Sequence, residues 1–228
     1  MNEEEEVEEK AAISREVWIS VDSVTLPGEL SLPGRTEGLV LFAHGSGSSR
    51  HSPRNQYVAQ VIREAGVGTL LFDLLTREEE KIDLQTRHLR FDIGLLARRL
   101  VGATKWAKKQ KEIAALRIGY FGASTGGGAA LVAAAEMDDD IGAVVSRGGR
   151  PDMADDALSR VVAPTLLIVG GSDEAIIRFN EEALGKLQCV KELKIVPGAT
   201  HLFEEPGKLE EVARLAADWF QRYLRAGR

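Results

Sequence analysis

"LRIGYFGASTGGGAALVAAAEM", residues 116–137, changes its period in the middle. The nearly continuous apolar run "LRIGYF" reads as a strand buried on both faces, and the small-residue run that follows reads as a helix. Between them stands Gly122-Ala123-Ser124-Thr125-Gly126, one serine with a glycine two residues to either side. A serine at so sharp a strand-to-helix turn adopts a strained backbone, and a side chain at either flanking glycine would collide with the turn. The turn lifts the Ser124 hydroxyl clear of the sheet. It also sets the Thr125 backbone N–H in the first turn of the helix, where unsatisfied donors and the positive dipole end hold a developing oxyanion.

Working outward, two periods alternate along the chain. "EVWISV" and "GELSLP" alternate apolar and polar residues as half-exposed edge strands do, whereas "LVLFAH", "VGTLLFD", "IGAVVS" and "TLLIVG" are buried-strand runs like "LRIGYF". Helical stretches separate them: "RNQYVAQVIREAG", which ends with Gly66 as a C-cap, "FDIGLLARRLVGATKWAKKQ", "GGGAALVAAAEM" and "KLEEVARLAADWFQRYLR". The expected fold is therefore α/β, a mostly parallel central sheet with helices on both faces and an antiparallel N-terminal pair of strands linked near Asp22. Residues 74–90, "LLTREEEKIDLQTRHLR", read as a charged surface loop that rims the site, and no internal repeat is visible.

Composition narrows the class. The chain of 228 residues is 44% hydrophobic, enough for a substantial core, and no Pro/Ser/Gly-rich linker divides it. Residues 1–12 form a self-repelling acidic run expected to be disordered, and residues 13–228 a single domain. A net charge of −6, with no run of five or six basic residues, argues against a nucleic-acid surface. The single cysteine, Cys189, excludes an internal disulfide or a cysteine-based zinc cage and suits a reducing compartment. No membrane-length apolar stretch exists and the N-terminus is acidic, so a soluble, cytoplasmic protein with no membrane partner is expected.

In such a sheet ligands bind at the carboxyl ends of the strands. There the chain places His44-Gly45-Ser46-Gly47, Asp73, Ser124, Arg147-Gly148-Gly149-Arg150, Ser172-Asp173-Glu174 and Thr200-His201. A serine hydroxyl is a weak nucleophile without a base, and the base needs a carboxylate to fix its tautomer and stabilise its cation. His201 follows the last strand, unlike His51 and His88, and Asp173 follows a buried strand directly, with Asp152 and Glu174 as rival acids. The chain order Ser124, Asp173, His201 is that of α/β-hydrolases.

From "LVLFAHGSGSS" through "GATHLFEEPG" to the final helix, the chain resembles an α/β-hydrolase of the dienelactone-hydrolase-like family. "HGSGSS" matches the oxyanion loop, "GASTGG" the nucleophile turn, "GGSDE" the acid turn and "PGATHLFEEPG" the histidine loop. Dienelactone hydrolase itself carries a cysteine where this chain has Ser124, which favours ordinary ester or thioester hydrolysis. The resemblance implies a serine hydrolase that needs no cofactor and no metal, with the Ser46 amide as second oxyanion donor and Gly47 as its alternative. His44 is expected to order that loop and to face the substrate.

Arg147 is a candidate for binding a substrate carboxylate or phosphate through its planar fork, Arg50 and Arg54 could extend that positive rim, and the competing view is that Arg147 pairs with Asp152 or Asp173. The missing large insertion between "IGAVVS" and "PTLLIVG" implies an open site without a cap domain, suited to a small-molecule ester. "GASTGGG" satisfies neither G-x-x-x-x-G-K-[ST] nor G-x-G-x-x-G, so nucleotide binding is not expected, and no histidine spacing suits a metal. The non-enzymatic rivals are a binding or scaffold protein that retains the fold, or an engineered hydrolase of altered activity. Oligomeric state leaves no mark in the sequence.

Overall fold

Alternation at the start of the chain becomes a hairpin, β1 (Ile13–Val21) and β2 (Val24–Leu32), closed at Asp22 with φ of 51°. The computed structural model describes residues 11–225, so nearly all of the acidic run expected to be a tail lies outside the described residues. The apolar runs become β3 (Leu39–Ala43), β4 (Gly68–Phe72), β5 (Ile118–Ala123), β6 (Ile141–Arg147) and β7 (Thr165–Gly170), each buried along its whole length. The more exposed β8 (Lys191–Val196) closes the sheet.

Among the described residues eight strands lie in the order β1-β2-β4-β3-β5-β6-β7-β8, antiparallel from β1 to β4 and parallel thereafter. Period-two side-chain alternation feeds two cores. Val40, Phe42, Phe121, Val145 and Ile168 pack under α1 (Pro53–Glu64) and the long closing helix, with the Phe42 and Phe121 rings 4.8 Å apart. Leu41, Tyr120, Val144 and Leu167 pack on the other face with Leu96, Leu100 and the alanines that follow Ser124.

The segment expected to be a loop is instead partly helical. α2 (Arg77–Thr86) starts from a capping box in which the Glu79 N–H donates to Thr76 Oγ1 at 3.1 Å and the Thr76 N–H donates to Glu79 Oε2 at 2.8 Å. Only Asp83 of this helix is buried, so its hydrophobic periodicity is faint; the legible signal was T-x-x-E at Thr76–Glu79. The helix still rims the site. α3 (Ile93–Ala107), α4 (Thr125–Met137), α5 (Glu174–Lys186) and α6 (Lys208–Leu224) complete the layers.

The chain runs from β3 through α1 to β4 on one side, then returns through α3 to β5 on the other side of β3. The carboxyl ends of β3 and β5 therefore flank a switch point, where neighbouring connections leave in opposite directions and open a crevice. Ala43 and Ala123 end those two strands, so the loop from His44 and the turn at Ser124 share that crevice.

Candidate active site

Ser124 has φ of 52° and ψ of −122°, a conformation that costs a non-glycine residue about 1–3 kcal/mol. Hydrogen bonds on both sides hold it there. Its N–H donates to the Arg147 carbonyl at 3.2 Å, and its own carbonyl accepts from the N–H groups of Gly127 at 2.9 Å and Arg150 at 3.0 Å. The flanking glycines are required by close approach: a Cβ on Gly122 would lie 2.4 Å from the Gly126 carbonyl oxygen, and one on Gly126 would lie 2.0 Å from that of Ala43.

The turn after β7 and the loop after β8 are joined by a hydrogen bond from the Ser172 N–H to the Ala199 carbonyl at 2.9 Å. That contact brings His201 Nδ1 to 2.7 Å from Asp173 Oδ2. With Nδ1–H donating to the carboxylate, Nε2 is left as the free acceptor. Glu205, unnoticed in the sequence, clasps the same loop by accepting from the Thr200 N–H at 3.1 and 3.2 Å, and these bonds hold its exposed carboxyl below its ordinary value.

The rival residues lie elsewhere. Asp152 is engaged twice by Arg150, at 2.8 and 2.7 Å, Glu174 begins α5, and His51 and His88 are exposed.

The residue after β6 touches the imidazole, and the loop after β3 touches Ser124. A Cβ on Gly148 would stand 3.4 Å from His201 Cε1, and one on Gly45 would stand 3.2 Å from Ser124 Cβ. Among the described residues the Ser124 hydroxyl makes no hydrogen bond. Thr125 is the first residue of α4, so its N–H is one of the helix's unclaimed donors. The loop opposite turns tightly, with the Ser48 N–H donating to the Gly45 carbonyl at 3.1 Å, and Ser46 and Gly47 stand exposed at its tip.

His44 orders this loop. Its Nδ1–H donates to the Gly45 carbonyl at 3.0 Å and its Nε2 accepts from the Leu74 N–H at 3.1 Å. Burial holds its pKa below the ordinary value, so the ring stays neutral. Both ring nitrogens are thus committed to backbone, the loop-ordering contact expected of His44.

A cavity of about 210 Å³ opens beside the turn, with Ser46, Thr125, Leu75, Leu84, Arg90 and Leu96 in its wall. It lies on the α2/α3 side of Ser124. The sequence did not point to its ion pair: Asp83 accepts from the Arg90 N–H at 3.0 Å and from Arg90 Nε at 2.5 Å. Although desolvation opposes them, these bonds from Arg90 hold the Asp83 carboxyl below its usual range.

Arg147 is the last residue of β6 and is buried, so it is no solvent-facing turn charge. Neither expected partner reaches it, because Asp152 holds Arg150 and Asp173 holds His201. Arg50 pairs with Asp73, and Arg54 donates to Glu204 at 2.9 Å.

The model of the dienelactone hydrolase family matches residues 35–226, the span from just before β3 to beyond α6. The chain belongs to the dienelactone hydrolase family. Among solved structures, a dienelactone hydrolase from Anabaena variabilis ATCC 29413 is 62% identical, with a TM-score of 0.93 over 94% of this chain and 100% of that one. Est1E from Butyrivibrio proteoclasticus shares the fold, at 18% identity and a TM-score of 0.77 over 91% of this chain and 98% of its own.

A Mycobacterium tuberculosis H37Rv protein named "Putative phosphoribosyl transferase" is 56% identical over 209 residues, covering 92% of this chain but 46% of its own length. The chain thus spans about half the length of the curated relatives it matches. No helix among the described residues of this dienelactone hydrolase family member is long and apolar enough to cross a membrane.

Proposed function

We propose that this member of the hydrolase family is a serine hydrolase that cleaves small ester or thioester substrates through an acyl-enzyme. The observation that carries this reading is the pairing of His201 Nδ1 with Asp173 Oδ2 at 2.7 Å, together with a serine held at φ of 52° at the end of β5. Strain is retained only where the surroundings enforce it, and here it presents a hydroxyl at the carboxyl edge of the sheet.

In this mechanism Ser124 Oγ attacks the acyl carbonyl while His201 Nε2 accepts its proton. Asp173 keeps the imidazole in the tautomer that leaves Nε2 unprotonated, and it stabilises the imidazolium that forms. The N–H groups of Thr125 and Ser46, with Gly47 as the alternative in so glycine-rich a loop, hold the negative charge on the former carbonyl oxygen. His201 returns the proton to the departing alkoxide or thiolate. Water then attacks the acyl-enzyme with His201 again as base, and Ser124 is regenerated. No step calls for a cofactor.

Nitrophenyl esters of increasing acyl length test the reading. We expect a burst of nitrophenol equal to the enzyme concentration, with short acyl groups preferred because the cavity is only about 210 Å³. Turnover with neither burst nor dependence on acyl length would oppose it.

A further inference from the structure

The sheet ends in β8, and among the described residues that strand has one neighbour, β7. Unlike the interior strands it is open to solvent, with Lys191, Lys194 and Ile195 exposed. Its backbone shows which groups are already spent. The Val190 carbonyl accepts from the Thr165 N–H at 2.8 Å, and the Val196 carbonyl accepts from the Gly171 N–H at 2.8 Å. Strand residues turn their N–H and C=O alternately to one side and the other, so the even-numbered residues face β7 while Lys191, Leu193 and Ile195 turn theirs outward. That outward row is a template for another strand.

The side chains select which strand it fits. Lysine alone blunts an edge against pairing, but in β8 Glu192 stands between Lys191 and Lys194. When β8 pairs antiparallel with β8 of a second copy about a two-fold axis at Leu193, Leu193 meets Leu193 and Lys191 meets Ile195. Glu192 then meets Lys194 of the second copy, once on each side of the axis. The outward-facing pairs each exchange both backbone hydrogen bonds. Glu192 and Lys194 fall at the non-hydrogen-bonded positions, where facing Cα atoms are only about 4.5 Å apart and side chains interact most closely.

Other registers are penalised. An axis at residue 192 sets Glu192 against Glu192, one at residue 194 sets Lys194 against Lys194, and one at 191 or 195 leaves the glutamate facing no lysine. Within one chain Glu192 already lies 3.1 Å from Lys194 Nζ and 3.9 Å from Arg222 Nη1, yet all three side chains remain partly exposed and open to a second copy.

We propose that β8 is a self-association surface that joins two copies of this chain antiparallel about Leu193. The exposed apolar side chains fit the same register: Val190, 56% exposed, comes opposite Val196, and Ile195, 44% exposed, comes against the aliphatic stem of Lys191. A patch that is its own complement about a two-fold axis closes at two copies. Because the paired strands run in opposite directions, the Asp173–His201 pairs that follow β7 and β8 lie at opposite ends of the joined sheet, and neither is covered. So narrow a contact makes a reversible, concentration-dependent dimer.

Sedimentation velocity over a wide range of protein concentration tests the pairing through its charges. Wild type should pass from monomer to dimer. Glu192→Lys and Lys194→Glu, each alone, put like charges across the axis and should weaken the dimer by roughly tenfold or more. An equimolar mixture of the two, and the chain carrying both, should regain it, because every facing pair is again opposite in sign. Circular dichroism confirms that each variant is folded.

A cross-link tests the register independently. In a Cys189→Ser background, which removes the one native thiol, Leu193→Cys places two thiols on the axis with Cα atoms about 5.5 Å apart, within reach of a disulfide, and should oxidise to a covalent dimer. Lys191→Cys faces Ile195 and should not. A wild type that stays monomeric, assembly beyond two copies, a dimer indifferent to either charge reversal, or cross-linking as efficient at residue 191 as at 193 overturns the proposal.

Discussion

Asp173 and His201 lie in the segments that follow the neighbouring strands β7 and β8, and their side chains meet at 2.7 Å. The bond fixes which imidazole nitrogen bears the proton. Asp173→Asn preserves the shape but lets the amide donate to Nδ1 and reverse the tautomer. We expect kcat to fall on the order of 10³- to 10⁴-fold, with little further loss when combined with Ser124→Ala, because in the proposed mechanism the three residues act as a unit. Multiplicative losses in the double variant would show that the residues do not share one mechanism.

The glycines separate close approach from mere tolerance. A Cβ on Gly126 meets the Ala43 carbonyl oxygen at 2.0 Å, whereas one on Gly185, exposed near the end of α5, meets nothing within 4 Å. Gly126→Ala should destabilise the fold by about 3 kcal/mol or more, and Gly185→Ala should stabilise it by up to about 1 kcal/mol. Urea unfolding of the two variants checks both signs.

His44 ties stability to pH. Its folded pKa is lowered by burial, so between that value and the ordinary 6.5 the unfolded chain binds a proton that the folded chain refuses. Its contribution is intact above about pH 6.5 and declines as pH falls below it. Urea midpoints at pH 7.5, 6.5 and 5.5 should show a loss that begins near 6.5 and is smaller in His44→Gln. An identical pH dependence in the variant would remove His44 as its source.

Glu79 holds α2 over the cavity in two ways, capping its first turn and accepting from buried Arg99 Nη2 at 2.5 Å. Glu79→Ala leaves Arg99 buried without its partner and should cost about 2 kcal/mol or more; Glu79→Gln, which can keep the cap, should cost less. Limited proteolysis should cut residues 74–92 faster in the alanine variant. Equal cleavage of all three proteins would show that the box does not secure the helix.

The order of chemical groups along the chain was legible because strand ends are marked by abrupt changes in pattern. "LVLFA" to His44, "LRIGYF" to Ser124 and "TLLIVG" to Asp173 are each an apolar run that stops at a polar or glycine-rich turn. α2 was hidden because a helix that buries only Asp83 carries almost no periodic signal. The fate of Arg147 was hidden for another reason. Its place next to Gly148 suggested a loop, but β6 continues through it, and burial is set by what packs against the strand from α1 and the loop containing Phe203. The Asp83–Arg90 pair and the clasp by Glu205 join residues whose spacing has no recognisable motif.

The central claim is that Ser124 forms a covalent acyl-enzyme, and a fluorophosphonate probe tests it in one step. Incubated with the folded chain, digested and mapped by mass spectrometry, the probe should modify the peptide containing Ser124 and no other serine. Labelling should vanish in Ser124→Ala, whose small side chain suits the turn, while circular dichroism shows the fold retained. A folded wild-type protein left unlabelled, or labelling that persists on another serine in Ser124→Ala, would contradict the account.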